Sequence, residues 1–517
     1  MTNVRQAFRE HEILLTGANG FLGKVILGLL LDRFPDFKHL HILLRPRAEL
    51  SAPERFFEET LRSPALSEIV QRRGESFLKT KISVWPGDIA QPGCGLAAEN
   101  DLAGRVSLII NCAGRVDFFP PLDDSFSANV DGVENVITLS RNLGAKLLHV
   151  STCFVCGEAD GLIEESEPVL GYYPHRRGRE DKHFDAREEL RQAREIIAQI
   201  YESDGGDRSR RSRELAQRLV ALGKQRAASW GWVNTYTYSK SLGEQLIASS
   251  PGLDYAIVRP AIVESAWRFP FPGWIEGGRT AAPLVLMALG GLRDWPVRED
   301  APLEVIPVDM VASAILVVGA LLLEARHEPV YQLGSADVNP IELGSIVKLL
   351  DAEARNRSNG GGARERSMLD WFAGTRRGAK VRFTSETAAQ ERRREQQRDI
   401  ARAQRWLAGA GAFLEKTKIP GKGWLETCGT ELRKLDLQAK FREQTLGQYL
   451  PFVLENRYIF ECENIRGAYS VVSEAGRDLL PWRPEEIDWR TYWLENQIGG
   501  IEKWVQPEAV RDWTFKM

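Results

Sequence analysis

The chain has 517 residues, which is long for one average domain and enough to bury a large core. Its 43% hydrophobic and 27% charged residues, with a net charge of −3, argue against a protein built mainly to bind nucleic acid or an anionic membrane. Six cysteines (Cys94, Cys112, Cys153, Cys156, Cys428 and Cys462) are too few for a disulfide framework and fit a reducing compartment, and the seven histidines show no ligand spacing, so no metal site is expected.

The opening "MTNVRQAFREHE" lacks the apolar core of a signal peptide. Glu12 to Thr16 then reads as a short apolar strand, followed by a glycine turn and a helix from about Phe21. "LHILLR", "KISVWPGDI", "VSLIINCAG", "KLLHVSTCFV" and "DYAIVRPAIV" read as five further strands, most of them separated by helical patterns. Continuous apolar strands alternating with helices predict a doubly wound α/β fold with a parallel sheet covered on both faces. Cys153 and Cys156, a CxxC at the end of the fifth strand, read as two small buried residues. Between strands five and six an insertion at about 171–229 is charged and helix-rich, and the mixed charge of "FDAREELRQAREIIAQIYE" suggests a solvated helix face. "VASAILVVGALLL" is too short to span a bilayer and reads as a buried helix.

Beyond about Val330 the pattern changes. "RNRSNGGGARERS" reads as an exposed loop, and residues 354–406 hold 14 Lys/Arg against 6 Asp/Glu, a basic segment able to attract an anionic ligand or membrane surface. The aromatic-rich end suggests a smaller helical domain. The expected organisation is 1–335 for the sheet domain, 336–440 for a basic, partly flexible helical segment and 441–517 for a C-terminal domain.

"TGANGFLG" spaces Gly17, Gly20 and Gly23 three apart between strand and helix. Such glycines let the backbone approach a pyrophosphate, which then meets the free N–H groups of the helix N-terminus. Thr16, Asn19, Phe21 and Leu22 share this turn. The second strand ends "LLRPR", placing Arg45 and Arg47 where an acid would select NAD; arginine's planar fork suits a 2′-phosphate, so NADPH is the expected cofactor. Asp88 and Ile89 could bracket the adenine, and "NCAG", with Asn111, Ala113 and Gly114, offers small residues where a cofactor must pass closely.

"NTYTYSKSLGEQLIA" carries Tyr236 and Tyr238 ahead of Lys240. Residues four apart share a helix face and residues two apart do not, so Tyr236 neighbours Lys240 and Tyr238 is assigned to packing. An ammonium beside Tyr236 would lower the phenol's pKa and make it a workable general acid; the same lysine could hold the nicotinamide ribose. Ser151 and Thr152, at the end of the fifth strand, supply the third member of the set.

In this order the residues resemble the extended short-chain dehydrogenase/reductases, and more narrowly the fatty acyl-CoA reductases of the male-sterility type, relatives of thioester-reductase domains. The narrower likeness rests on "TGANGFLGKVILGLLL", "LLRPR", "NCAGRVDF", "VSTCFV", "TYTYSKSLGEQL", "VRPAIVESAW", "PGWIEG", "VIPVDMVASAI" and, near the end, "YIFECENIRGAY" and "DWRTYWLENQIGGIEKWV". It implies Tyr236, Lys240 and Thr152 as the catalytic set, with Ser151 as the alternative hydroxyl. It also implies Pro260 and Ile262 near the nicotinamide, and Trp274 and Glu276 as candidates for an acyl channel. The implied reaction is reduction of a long-chain acyl-CoA to its primary alcohol with NADPH, in the cytoplasm or peripheral to a membrane. The basic segment around 354–406 matches that family poorly. The alternatives are a reductase that stops at the aldehyde, a carrier-protein thioester reductase, a nucleotide-sugar epimerase or dehydratase, and a non-enzymatic NADPH-binding protein. The first two share every residue named here; an arginine after the second strand disfavours the epimerase, and the intact tyrosine and lysine disfavour the last.

Overall fold

The computed structural model describes residues 1–505 apart from 97–98, 182, 207–210, 279, 291, 361–380 and 418–421. A seven-stranded parallel sheet organises it. Its strands are β1 (Glu12–Thr16), β2 (His39–Leu44), β3 (Ile82–Pro86), β4 (Val106–Asn111), β5 (Lys146–Val150), β6 (Tyr255–Pro260) and β7 (Val330–Leu333), in the order β7-β6-β5-β4-β1-β2-β3. The chain builds outward from β1 in one direction and from β4 in the other. At that reversal the connections leave to opposite faces and open a crevice beyond the strand ends, where ligands of such sheets bind.

The strands are apolar because both faces are covered. α1 (Phe21–Arg33), α2 (Gly132–Leu143), α3 (Ala186–Ser203), α4 (Arg213–Trp230), α5 (Thr235–Ala248) and α6 (Val308–Leu323) are the principal helices of this part. α6 is the apolar stretch expected to be an interior helix: every residue from Val308 to Leu322 is buried, and it packs against α1 and the sheet. Among the described residues no helix is long and apolar enough to cross a membrane.

The structure adds one strand to the sequence reading and a buried side to one helix. β7 was not anticipated, because "VYQL" is four residues long and its Gln332, fully buried, breaks the apolar run. α3 presents the expected solvated face, with Arg187, Glu188, Arg191 and Glu195 exposed, and on its other side buries Ala186, Glu189, Leu190, Ala193, Ile197 and Ile200 at helical spacing.

Residues pack into two compact units, each discontinuous along the chain, where the sequence reading divides the chain into contiguous segments. The first comprises Met1–Gly277, Glu304–Pro340 and Tyr458–Asp488. Within it Phe460 N–H donates to Glu304 (2.7 Å) and Asn464 N–H to Glu165 (2.7 Å), and burial pushes both carboxyls up to about 7. The second comprises Gly278–Leu303, Ile341–Arg457 and Trp489–Met517, and is mainly helical, with Leu343–Gly360, Glu386–Thr417 and Lys422–Leu450 its long helices. Helix Leu343–Gly360 runs through the start of the expected exposed loop; the rest of that loop, at 361–367, lies outside the described residues. In the basic segment Arg382 and Arg392 both pair with Asp294, at 2.8 and 2.6 Å, so part of its charge is already balanced.

Candidate active site

The glycine turn is fixed by sterics. Gly17 has φ +72°, and a Cβ there would lie 2.8 Å from Ala113 N; a Cβ on Gly23 would lie 2.1 Å from Gly17 O. Any side chain at either position would push β1, α1 and the end of β4 apart. Gly20, the N-cap of α1, is different: a Cβ there meets only Gly17 O, at 3.4 Å, so its outer side is open. Asn19, Phe21 and Leu22 are half-buried around it. An open glycine over the first turn of a 13-residue helix suits a pyrophosphate, whose charge meets uncapped N–H groups and the positive end of the helix. Pyrophosphate and a nicotinamide dinucleotide fit this cradle.

At its rim Arg45 and Arg47 are exposed, and Arg45 Nη1 lies 3.6 Å from Asp88 Oδ2. Ile89 is buried, its side chain directed at Gly132 of α2. Thr16 and Asn111 lie deeper than a cofactor-contacting role implies. Both are buried: Ala113 N–H donates to Thr16 Oγ1 (3.2 Å), and Thr16 Oγ1 donates to Asn111 Oδ1 (2.7 Å). They support the crevice from behind. Gly114 closes that layer, since a Cβ there would lie 3.0 Å from Asn129 Oδ1 and 3.7 Å from Lys240 Nζ.

α5 brings the tyrosine and lysine to the same crevice. Asn234 caps it, accepting from Thr237 N–H at 2.8 Å. Tyr236 is half-buried, and Thr152 is the side chain whose hydroxyl draws the phenol's pKa down. Thr152 in turn caps the short turn Cys153–Cys156 and donates to Pro260 O at 3.4 Å, tying the ends of β5 and β6 together. Ser151 Oγ is buried and makes no hydrogen bond among the described residues, so of the two candidate hydroxyls only Thr152 meets Tyr236. Ile262, just past Pro260, is half-buried and donates its N–H to Glu304 O.

The electrostatics correct one expectation. Burial pushes the Tyr236 phenol up to about 12, not down, while the Thr152 hydrogen bond pulls the other way. Lys240 bears the mirror effect: burial lowers its ammonium to about 8, against a raising influence from Glu244. Its Nζ donates to Val150 O at 2.7 Å and lies 3.4 Å from His149 Nε2. For both groups desolvation is the largest cause.

Tyr238 points elsewhere. It is fully buried between the rings of Phe126 and Trp232, and its hydroxyl donates to Glu189 at 2.5 Å. In the "PGWIEG" loop Trp274 is only 3% exposed, and Glu276 receives two hydrogen bonds from Lys24 Nζ, at 2.6 and 2.8 Å. Lys24 follows Gly23, so this pair ties the glycine-turn helix to that loop. The sequence reading passed over three polar residues: Glu189, which holds Tyr238, and, at the site itself, His149 and Asn129, which bridges Arg115 and Ser239. His149 alone left a trace, a polar residue inside the apolar strand "KLLHV".

A family model described as "Male sterility protein", NAD-binding, matches residues 15–315. The chain is 28% identical over 521 residues to the "Probable fatty acyl-CoA reductase 4" of Arabidopsis thaliana, covering 98% of this chain and 99% of that one. It is 30% identical to the "Alcohol-forming fatty acyl-CoA reductase" of Simmondsia chinensis, covering 68% of this chain and 71% of that one. Among solved structures, the reductase domain of a non-ribosomal peptide synthetase from Mycobacterium tuberculosis superposes with a TM-score of 0.53 at 19% identity, covering 96% of this chain and 95% of that one, a likeness of fold.

Proposed function

The chain belongs to the male-sterility family of NAD-binding oxidoreductases, and from that premise we propose that it reduces long-chain fatty acyl-CoA, through an aldehyde, to the primary alcohol with NADPH. The observation that carries this is the gathering of Tyr236, the Thr152 hydroxyl that influences it and a buried Lys240 at the strand ends by the glycine cradle. Gly17, Gly20, Gly23 and the first turn of α1 would hold the pyrophosphate, Arg45 and Arg47 the 2′-phosphate, and Lys240, Pro260 and Ile262 the nicotinamide end. When bound, NADPH supplies hydride.

The protein's own part is to receive the charge that develops on the carbonyl oxygen. Tyr236 presents a hydroxyl donor to that oxygen, and Thr152 joins it by turning its own proton from Pro260 O, so the two stabilise the developing oxyanion. A phenol held at about 12 stays protonated at neutral pH, so it is ready to give its proton to the forming alkoxide. Lys240 can restore that proton, since an ammonium lowered to about 8 parts with it readily. The aldehyde formed by loss of CoA presents the same carbonyl to the same two hydroxyls for the second reduction.

The test supplies palmitoyl-CoA with NADPH or NADH to the purified protein, follows cofactor oxidation, and identifies products. The expected result is two NADPH consumed per CoA released, hexadecanol formed, and NADPH preferred. One NADPH with accumulated aldehyde overturns the alcohol-forming step. Equal use of NADH overturns the role given to Arg45 and Arg47, and no oxidation with either cofactor overturns the substrate.

A further inference from the structure

A chain of hydrogen bonds runs behind the crevice to Lys240, starting at a backbone amide. The Ala113 backbone N–H can only donate, and it donates to Thr16 Oγ1 at 3.2 Å. The Thr16 hydroxyl donates onward to Asn111 Oδ1 at 2.7 Å. With its oxygen engaged, Asn111 turns its Nδ2 to His149 Nδ1 at 3.1 Å. An amide nitrogen only donates, so His149 Nδ1 must accept. His149 is 1% exposed, and burial together with the nearby Lys240 holds it far below the usual imidazole range, so it is neutral and has one ring proton. That proton is therefore on Nε2, the nitrogen 3.4 Å from Lys240 Nζ.

An N–H directed at an ammonium is repulsive, and one directed at an amine lone pair is a hydrogen bond. Lys240 as an amine satisfies the whole arrangement, donating to Val150 O at 2.7 Å and accepting from His149. The other groups near Nζ do not reverse this. The Cys112 thiol, at the end of β4, is pushed up to about 12 by burial and carries no charge at neutral pH. Glu244, one turn along α5, favours the ammonium, but its carboxylate is held by Arg259, which donates at 2.6, 3.0 and 3.2 Å. Tyr236, one turn back, is a neutral phenol.

We propose that His149 is a positioning residue that sets the proton affinity of Lys240: its Nε2–H, oriented through Asn111 and Thr16 by the Ala113 backbone amide, disfavours the ammonium and makes Lys240 a ready proton source for Tyr236. Only the last clause rests on the catalytic reading given above. The step balances simply, with one proton passing from Lys240 Nζ to the Tyr236 phenolate and solvent later reprotonating the amine. His149 keeps its own proton throughout.

The test reads Lys240 directly. In full-length protein labelled with 13Cε-lysine, the Lys240 signal is assigned by its loss in Lys240→Arg and titrated in the native protein, His149→Asn and His149→Gln. Asn keeps an acceptor for Asn111 but removes the N–H aimed at Nζ, and Gln can turn a carbonyl oxygen toward it. The native midpoint is expected near 8, and both variants should raise it by about one pH unit. In kcat/KM profiles the ammonium is the active form, so activity falls as pH rises through the Lys240 midpoint, and this alkaline limb should move upward by the same amount. An unmoved Lys240 midpoint in both variants, with thermal unfolding near native, overturns the proposal. Lys240→Met tests the underlying reading separately: full turnover in that variant overturns the catalytic role of Lys240 whatever the titrations give.

Discussion

α5 carries two tyrosines two residues apart, and they enter two buried polar regions of opposite character. Around Tyr238, Glu189 accepts from Tyr238 Oη (2.5 Å), Trp230 Nε1 (3.0 Å) and Arg226, whose Nε lies at 2.8 Å and whose Nη2 forms a second, shorter contact. Charge there is matched and each polar group has a partner. Around Tyr236 the balance is left open: a cation is buried against a carbonyl and an imidazole, a phenol is influenced by a threonine hydroxyl, and among the described residues no carboxylate forms an ion pair or hydrogen bond with either. A saturated cluster has nothing to offer a substrate. An unsaturated one stores the electrostatic cost of burial as shifted proton affinities, and those suit it to proton transfer.

The comparison breaks most visibly at Tyr236. Tyr236→Phe removes the proton donor and leaves no charge stranded, so kcat should fall roughly 100- to 10,000-fold while cofactor affinity and the unfolding midpoint stay near native. Steady-state kinetics and a fluorescence titration with NADPH check this. Native turnover in the variant would remove Tyr236 from the chemistry.

At Glu189 the expected effect moves from rate to stability. Glu189→Gln leaves Arg226 without its buried counter-charge, at a cost of about 3 kcal/mol, because stranding one partner of a buried pair is worse than never burying the pair. Urea unfolding should register that loss while kcat of the folded fraction is retained. A stability change under about 0.5 kcal/mol would mean that the Glu189 cluster is not the matched network the geometry describes.

The sequence carried the sheet and the Tyr236–Lys240 pair because both are local patterns. Apolar strands bounded by turns, glycines three apart and a helix face four apart can be read without tertiary contacts. β7 escaped because a short strand with a buried glutamine owes its place to neighbours, not to periodicity. Glu189 escaped for the same reason, since on α3 it reads as one more surface acid until Arg226, Trp230 and Tyr238 converge on it. The rise in the Tyr236 pKa was also hidden. Spacing shows that a lysine is near a phenol, but only the enclosed site shows that desolvation dominates the phenol.

The smallest expected effect separates the two regions most sharply. Tyr238→Phe removes one hydroxyl from the saturated cluster and leaves Glu189 with Arg226 and Trp230 as donors. The ring still fills the space between Phe126 and Trp232, so packing is kept. The loss should be that of one hydrogen bond to a charged group, about 1–2 kcal/mol in urea unfolding, with kcat unchanged. Both tyrosines lie on one rigid helix, so the pair of Phe variants controls for any general disturbance of α5. If Tyr238→Phe instead lost activity while Tyr236→Phe retained it, the assignment of the two tyrosines would be reversed, and with it the argument that an unmatched buried charge marks the reactive side of this helix.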